Sequence, residues 1–294
     1  MRTISPRSYS RLALTALVFL CVIVLTGAAV RLTGSGLGCE DWPRCNEERF
    51  IDVSSTHGAI EQINRLFTGL VALSVILAVL GAHRRLPRRA DLVRLAWGLV
   101  AGVIGQVVLG GIVVLTDLHP LANQGHFLLS MILVTNATVL WVRSRDEQLL
   151  RRAESRNFSQ RLALLAFALG CVALYTGTIV TGSGPHAGDE DARRFGFDIS
   201  HVARIHGISV VMFLIALLSI IVVVRRRKNE WRAMSGVLEA TMAIGVIQAA
   251  LGYTQYFNDI PAALVAIHIA GATAIMISLT RLVTQSNRTS LDPA

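Results

Sequence analysis

Long apolar runs separated by short polar connections recur along the whole chain. A bilayer core of roughly 30 Å takes about 20 apolar helical residues to cross. Eight stretches reach that length, over 12–31, 58–82, 93–116, 123–142, 161–181, 201–224, 233–255 and 262–281. The pattern predicts an all-α polytopic membrane protein with eight transmembrane helices. The first run follows Arg2, Arg7 and Arg11 as a secretory leader would. It is longer than a leader's apolar segment and ends in the polar AVRLTGSG with no small-residue cleavage site, so it is read as a span.

Composition agrees, with 53% hydrophobic residues and a mean hydropathy of +0.55. The net charge of +9 would suit a nucleic-acid partner, but its distribution points elsewhere. Basic residues precede the first span and crowd every second connection: HRRLPRRADLVR, RSRDEQLLRRAESRNFSQR and RRRKNEWR. The other connections, CEDWPRCNEERFIDVSS, TDLHPLA and NDIP among them, are neutral to acidic. By the positive-inside rule this predicts a cell-membrane protein with both termini cytoplasmic and the odd-numbered loops outward. No nucleic-acid partner is expected.

Cys21 and Cys171 lie inside apolar spans, as small packing residues do. Cys39 and Cys45 share the first outward loop, where an oxidising compartment permits a disulfide and Pro43 helps the intervening residues turn. Such a bond is either a loop staple or a redox-active pair.

The chain also repeats itself. TGAAVRLTGSG from Thr26 returns as TGTIVTGSG from Thr176, and QVVLGG from Gln106 as QAALGY from Gln248. Gln106 and Gln248 are 142 residues apart, as are His126 and His268. This predicts two four-helix halves, 1–150 and 151–294, related by a pseudo-twofold axis along the membrane normal. The same offset projects His206 onto Asn64, so the even-numbered helices carry matched polar positions: Asn64 with His126, and His206 with His268. Two histidines on facing helices of a four-helix bundle suit a six-coordinate haem iron. A lone intramembrane histidine more often faces a cavity or another polar group; a repeat-matched pair favours ligation. His83 reads as solvated beside its arginines, His119 and His186 as loop residues, and His201 as an interfacial residue on a different face of its helix from His206.

Taken in order, this arrangement resembles the heme A synthases, membrane enzymes that oxidise a methyl of heme O to the formyl group of heme A. CEDWPRC, IEQINR and TGSGPHAGD look like motifs of that family, and the resemblance covers essentially the whole chain. It implies a substrate haem in the first half on His126, and a haem b in the second half on His206 and His268. It also implies that Glu61 is catalytic, three residues before a ligand position that this chain fills with Asn64. Asparagine is a poor iron ligand. Either His57 ligates an iron displaced outward by about 10 Å, seven helical residues away, or the substrate haem is held by His126 alone with Asn64 hydrogen-bonding on the open side.

Glu61 would accept a proton as the C8 methyl is oxidised, or it forms an ion pair with Arg65 one turn on that satisfies both charges. Arg65 and Arg204 are candidates to hold haem propionates. The resemblance implies a membrane electron donor, a quinol being one candidate, and a heme O synthase as a candidate partner. Two other readings stay open: a di-haem b electron-transfer subunit and a two-repeat transporter. Glycines on helix faces permit packing within the bundle or between copies in a homo-oligomer.

Overall fold

The computed structural model describes residues 3–145 and 158–289; the basic connection over 146–157, and with it the boundary expected after residue 150, lies outside the described residues. The described residues form eight helices: α1 Pro6–Leu32, α2 Thr56–Arg84, α3 Ala90–Leu115, α4 Pro120–Arg145, α5 Phe158–Ser183, α6 Ile199–Arg225, α7 Lys228–Phe257 and α8 Ala262–Thr289. All eight are long and apolar enough to cross a membrane, and no β-strand occurs among the described residues.

Each helix outruns its apolar window at one or both ends. Hydropathy marks the hydrocarbon core, whereas a helix continues to its first good cap. Ser5 caps α1 by accepting from the Ser8 N–H at 3.2 Å, with Pro6 supplying a pre-set first-turn φ. Ser55 caps α2 through the Gly58 N–H at 3.0 Å.

Contacts divide the chain into two compact units, Met1–Ala137 with Thr178–Ile199, and Thr138–Gly177 with Ser200–Ala294. In the first, Ala13, Ala16, Ala78 and Ala82 are buried between α1 and α2, where small side chains let backbones approach closely. In the second, Phe213, Leu217, Ile220, Met234, Leu238 and Leu279 share one apolar cluster. There the Thr241 and Ser278 hydroxyls meet at 2.6 Å across α7 and α8. Leu66, Leu70, Leu73, Leu77 and Leu80 form an exposed stripe along one face of α2. Such a stripe would promote aggregation in water and is at home against lipid tails.

The repeat is visible in the backbone. Asp117 and Leu118 turn α3 into α4 with φ of 51° and 58°; Asp259 and Ile260 turn α7 into α8 with 57° and 55°. Each pair is 142 residues from its counterpart. In both turns the second residue's N–H reaches the carbonyl five residues back, Leu118 to Val113 and Ile260 to Gln255, at 2.9 Å. A β-branched residue such as Ile260 seldom adopts positive φ, so the turn is imposed by the helices on either side.

Candidate functional site

In the second unit, His206 of α6 and His268 of α8 stand with ring centroids 6.4 Å apart and planes inclined at 77°. The Thr176 hydroxyl of α5 lies 3.2 Å from His206 Nδ1 and 2.9 Å from Ser209 Oγ. With Nδ1 so engaged, Nε2 is the nitrogen left for another partner. Gly177 lets the ring lie against α5, since a Cβ there would stand 3.1 Å from His206 Cε1. Across the pair, His268 Cε1 faces Gly252 of α7, and His268 Nδ1 is buried without a hydrogen-bond partner.

The residues fit a haem. Metal–imidazole bonds of about 2 Å on opposite sides of one ion, with the ring half-widths added, place the centroids roughly 6 Å apart. The 6.4 Å separation is close to that spacing.

The first unit carries related residues at the positions matched by the repeat. Asn64 of α2 takes the place of His206, and Thr26 of α1 takes the place of Thr176, donating to Asn64 Oδ1 at 2.8 Å. His126 of α4 stands against Gly110 of α3 as His268 stands against Gly252, and its Nδ1 is likewise buried without a hydrogen-bond partner. Gln106 Nε2 fixes this turn of α4 by donating to the His126 carbonyl at 3.0 Å and Ser130 Oγ at 2.7 Å.

Thr26 and its partner are 38 residues apart, Thr176 and its partner 30. The eight extra residues go into the connection between α1 and α2, which folds over the head of α2. Cys39 and Cys45 are joined there, both buried, with Cα atoms 4.3 Å apart. Gly38 makes the seating possible: a Cβ would stand 2.4 Å from the His57 carbonyl carbon. The Trp42 ring covers Gly111 of α3, where a Cβ would come within 2.9 Å of it. Asp52 secures the far side of the loop. Hydrogen bonds from Ser54, with a further one from Asn46, hold its carboxyl below the usual carboxylate range.

Glu61 lies under this loop, 5% exposed. Its Oε1 accepts from Arg65 Nε at 2.9 Å and Nη2 at 2.6 Å, and its Oε2 accepts from the Cys39 N–H at 2.8 Å. Arg65 goes further, donating to the Asp41 and Arg44 carbonyls at 3.1 and 3.0 Å. The Glu61–Arg65 ion pair, the alternative to a proton-accepting Glu61, is therefore present, and Arg65 clamps the disulfide loop to α2. Ala203 and Gly207 stand at the corresponding positions of α6, so the second half carries no such pair.

His57 is in the first turn of α2, exposed, with Nδ1 2.9 Å from Ser35 Oγ. Arg204 is exposed on α6, as is His201. His83 is exposed and accepts from Trp97 Nε1 at 3.3 Å; His119 Nδ1 accepts from the Leu121 N–H at 3.4 Å, as a residue before a helix does. The structure thus brings together His206 with His268, Glu61 with Arg65, and Cys39 with Cys45. Thr26 and Thr176 were not expected at the site. Their signal was present in the repeated TG dipeptides, at the same distance before each TGSG to within two residues.

Comparison with known proteins gives the chain a family. A family model described as cytochrome oxidase assembly protein, COX15-CtaA, matches residues 10–280. Among similar proteins, the heme A synthase of Lysinibacillus sphaericus (strain C3-41) is 32% identical over 120 residues, 40% of this chain and 37% of the relative. That of Listeria welshimeri serovar 6b is 29% identical over 172 residues, 56% and 55% of the two chains. That of Geobacillus thermodenitrificans is 28% identical over 111 residues, 37% and 34%. The chain therefore spans between 34% and 55% of the length of these curated relatives. Because the family model matches nearly the whole length, the chain belongs to the cytochrome oxidase assembly protein family, COX15-CtaA.

Proposed function

We propose that this protein is a heme A synthase, oxidising the C8 methyl of heme O to the formyl group of heme A. The observation that carries the reading is the asymmetry between two matched sites. One holds a complete histidine pair; the other has one histidine, an asparagine and, three residues before it, a buried glutamate. Relatives named heme A synthase support it. A di-haem electron-transfer subunit would have no use for the asymmetry.

His206 and His268 hold a haem b, which supplies the one-electron chemistry that side chains lack. His126 holds the substrate heme O. Glu61 is kept in place by Arg65 and the Cys39 N–H, and its carboxylate would take the proton released as a methyl C–H bond is broken. Each of two oxidations would consume one dioxygen: one oxygen atom enters a methyl C–H bond as a hydroxyl, and the other leaves as water with two electrons from the membrane donor and two protons; the resulting geminal diol loses water to leave the formyl group. Arg65, with all three guanidinium nitrogens engaged, positions Glu61, whereas exposed Arg204 is suited to a propionate. The redox partner is a membrane donor of the quinol class, and a heme O synthase supplies the substrate. The basic connections support a cell-membrane topology with both termini cytoplasmic and the two sites toward the outer side.

The test is mass spectrometry of haems extracted from protein expressed in a host that makes heme O but not heme A. The wild type yields hydroxylated haem and heme A. Glu61→Gln retains heme O with conversion slowed about 10²–10⁴-fold, the contribution of a positioned general base. A folded, haem-loaded wild type that leaves heme O unconverted with a working reductant overturns the reading.

A further inference from the structure

We infer that the haem site of the first unit is one-sided: His126 would be its sole imidazole, and Asn64, at the position His206 takes in the second unit, would present its amide N–H groups to a small diatomic ligand of dioxygen's class. The inference rests on the haem reading above and follows from the one difference that bears on ligation, Asn64 where the second unit has His206.

In the second unit the His206 ring fills the space beside Gly177, with Cε1, Nδ1 and Nε2 standing 3.1, 3.4 and 3.6 Å from where a Cβ would be. Gly27 follows Thr26 as Gly177 follows Thr176, yet a Cβ at Gly27 would meet nothing within 4 Å. The volume taken by an imidazole in one unit is open in the other, because asparagine is shorter. Its amide is also oriented. Thr26 donates to Oδ1 at 2.8 Å, which commits the carbonyl end to α1. Nδ2 makes no hydrogen bond among the described residues and keeps two donors.

An amide is a poor iron ligand but a good distal donor. A hydrogen-bond donor beside an open coordination position favours a ligand whose outer atom gathers negative charge, and distal polarity and steric access decide whether a haem binds such a ligand. The second unit's site, closed by imidazoles on both sides, admits none. The same repeat thus gives one site that transfers electrons and one that binds a gas.

The experiment uses the dithionite-reduced, haem-loaded full chain with carbon monoxide as the probe. The wild type shows one CO-reactive haem, which His126→Ala loses. Asn64→His abolishes CO binding and converts the spectrum to six-coordinate low-spin, as the His206 site predicts. Asn64→Leu still binds CO, but its C–O stretch shifts to higher frequency and CO leaves faster, because the N–H donors are gone. A wild type loaded with haem in both units that binds no CO overturns the inference alone, as does CO binding unchanged in Asn64→His. A folded protein that carries no haem overturns this inference together with the reading beneath it.

Discussion

Thr176 and Gly177 prepare His206 from the side of α5. The hydroxyl holds Nδ1, and the missing Cβ lets the ring approach the helix. Thr176→Val keeps the shape and removes the partner. Losing such a contact to a metal-bound histidine costs about 10- to 100-fold in affinity, so the variant should retain less haem in its second unit and show a shifted midpoint potential. Unchanged retention and potential would mean that the hydroxyl serves Ser209 alone. At this scale the sequence was informative where chemistry repeats at a fixed offset: His126 with His268, and Asn64 with His206. It was uninformative about Arg65, whose four hydrogen bonds to three loop carbonyls depend on how CEDWPRC folds back over α2. No spacing rule along a helix reveals a carbonyl 21 to 26 residues away.

The first turns of α2 gather the groups that differ most from the second half: the Ser55 cap, Gly58, Glu61, Asn64 and Arg65. The disulfide loop sits directly on them, so the loop and the helix should melt together. Gly38→Ala forces a methyl against the His57 carbonyl and should destabilise the protein by about 1–3 kcal/mol, as other overpacked sites do. A melting temperature equal to wild type would mean that the loop lifts freely. Replacing both cysteines by serine tests staple against redox pair. Opening so small a ring costs about 2 kcal/mol, while Arg65 still clamps the Cys39, Asp41 and Arg44 carbonyls to α2. The double variant should therefore melt lower yet convert heme O at a near-normal rate below its transition. Lost conversion at unchanged stability would instead assign the sulfurs a redox role. Element positions were legible because eight apolar windows need eight spans. The matched left-handed turns were missed, although Asp117-Leu118 and Asp259-Ile260 lie at the repeat offset. Leucine and isoleucine carry no turn signal of their own, so only a comparison of the two halves finds them.

For the whole molecule, the proposed function divides two tasks between the two sites. Electron transfer is best served by an iron closed on both sides, and methyl oxidation needs an open position beside a base. The second unit keeps both histidines and has Ala203 and Gly207 where the first has Glu61 and Arg65. The two tasks should then fail independently. His268→Ala should lose haem from the second unit, leaving heme O bound through His126 but unconverted, so that extraction returns heme O with haem b depleted. Glu61→Gln should return both haems in full, with the haem b still reducible and heme O unconverted. Haem extraction with a reduced-minus-oxidised spectrum distinguishes the two. If His268→Ala instead released haem from both units while the protein stayed folded, the sites would be one cooperative centre, and the division of labour drawn from the repeat would be wrong. The buried core shared by Phe213, Leu217, Met234, Leu238 and Leu279 argues for independence. It packs the second unit's helices without using either histidine, so truncating His268 removes a ligand and leaves the packing in place.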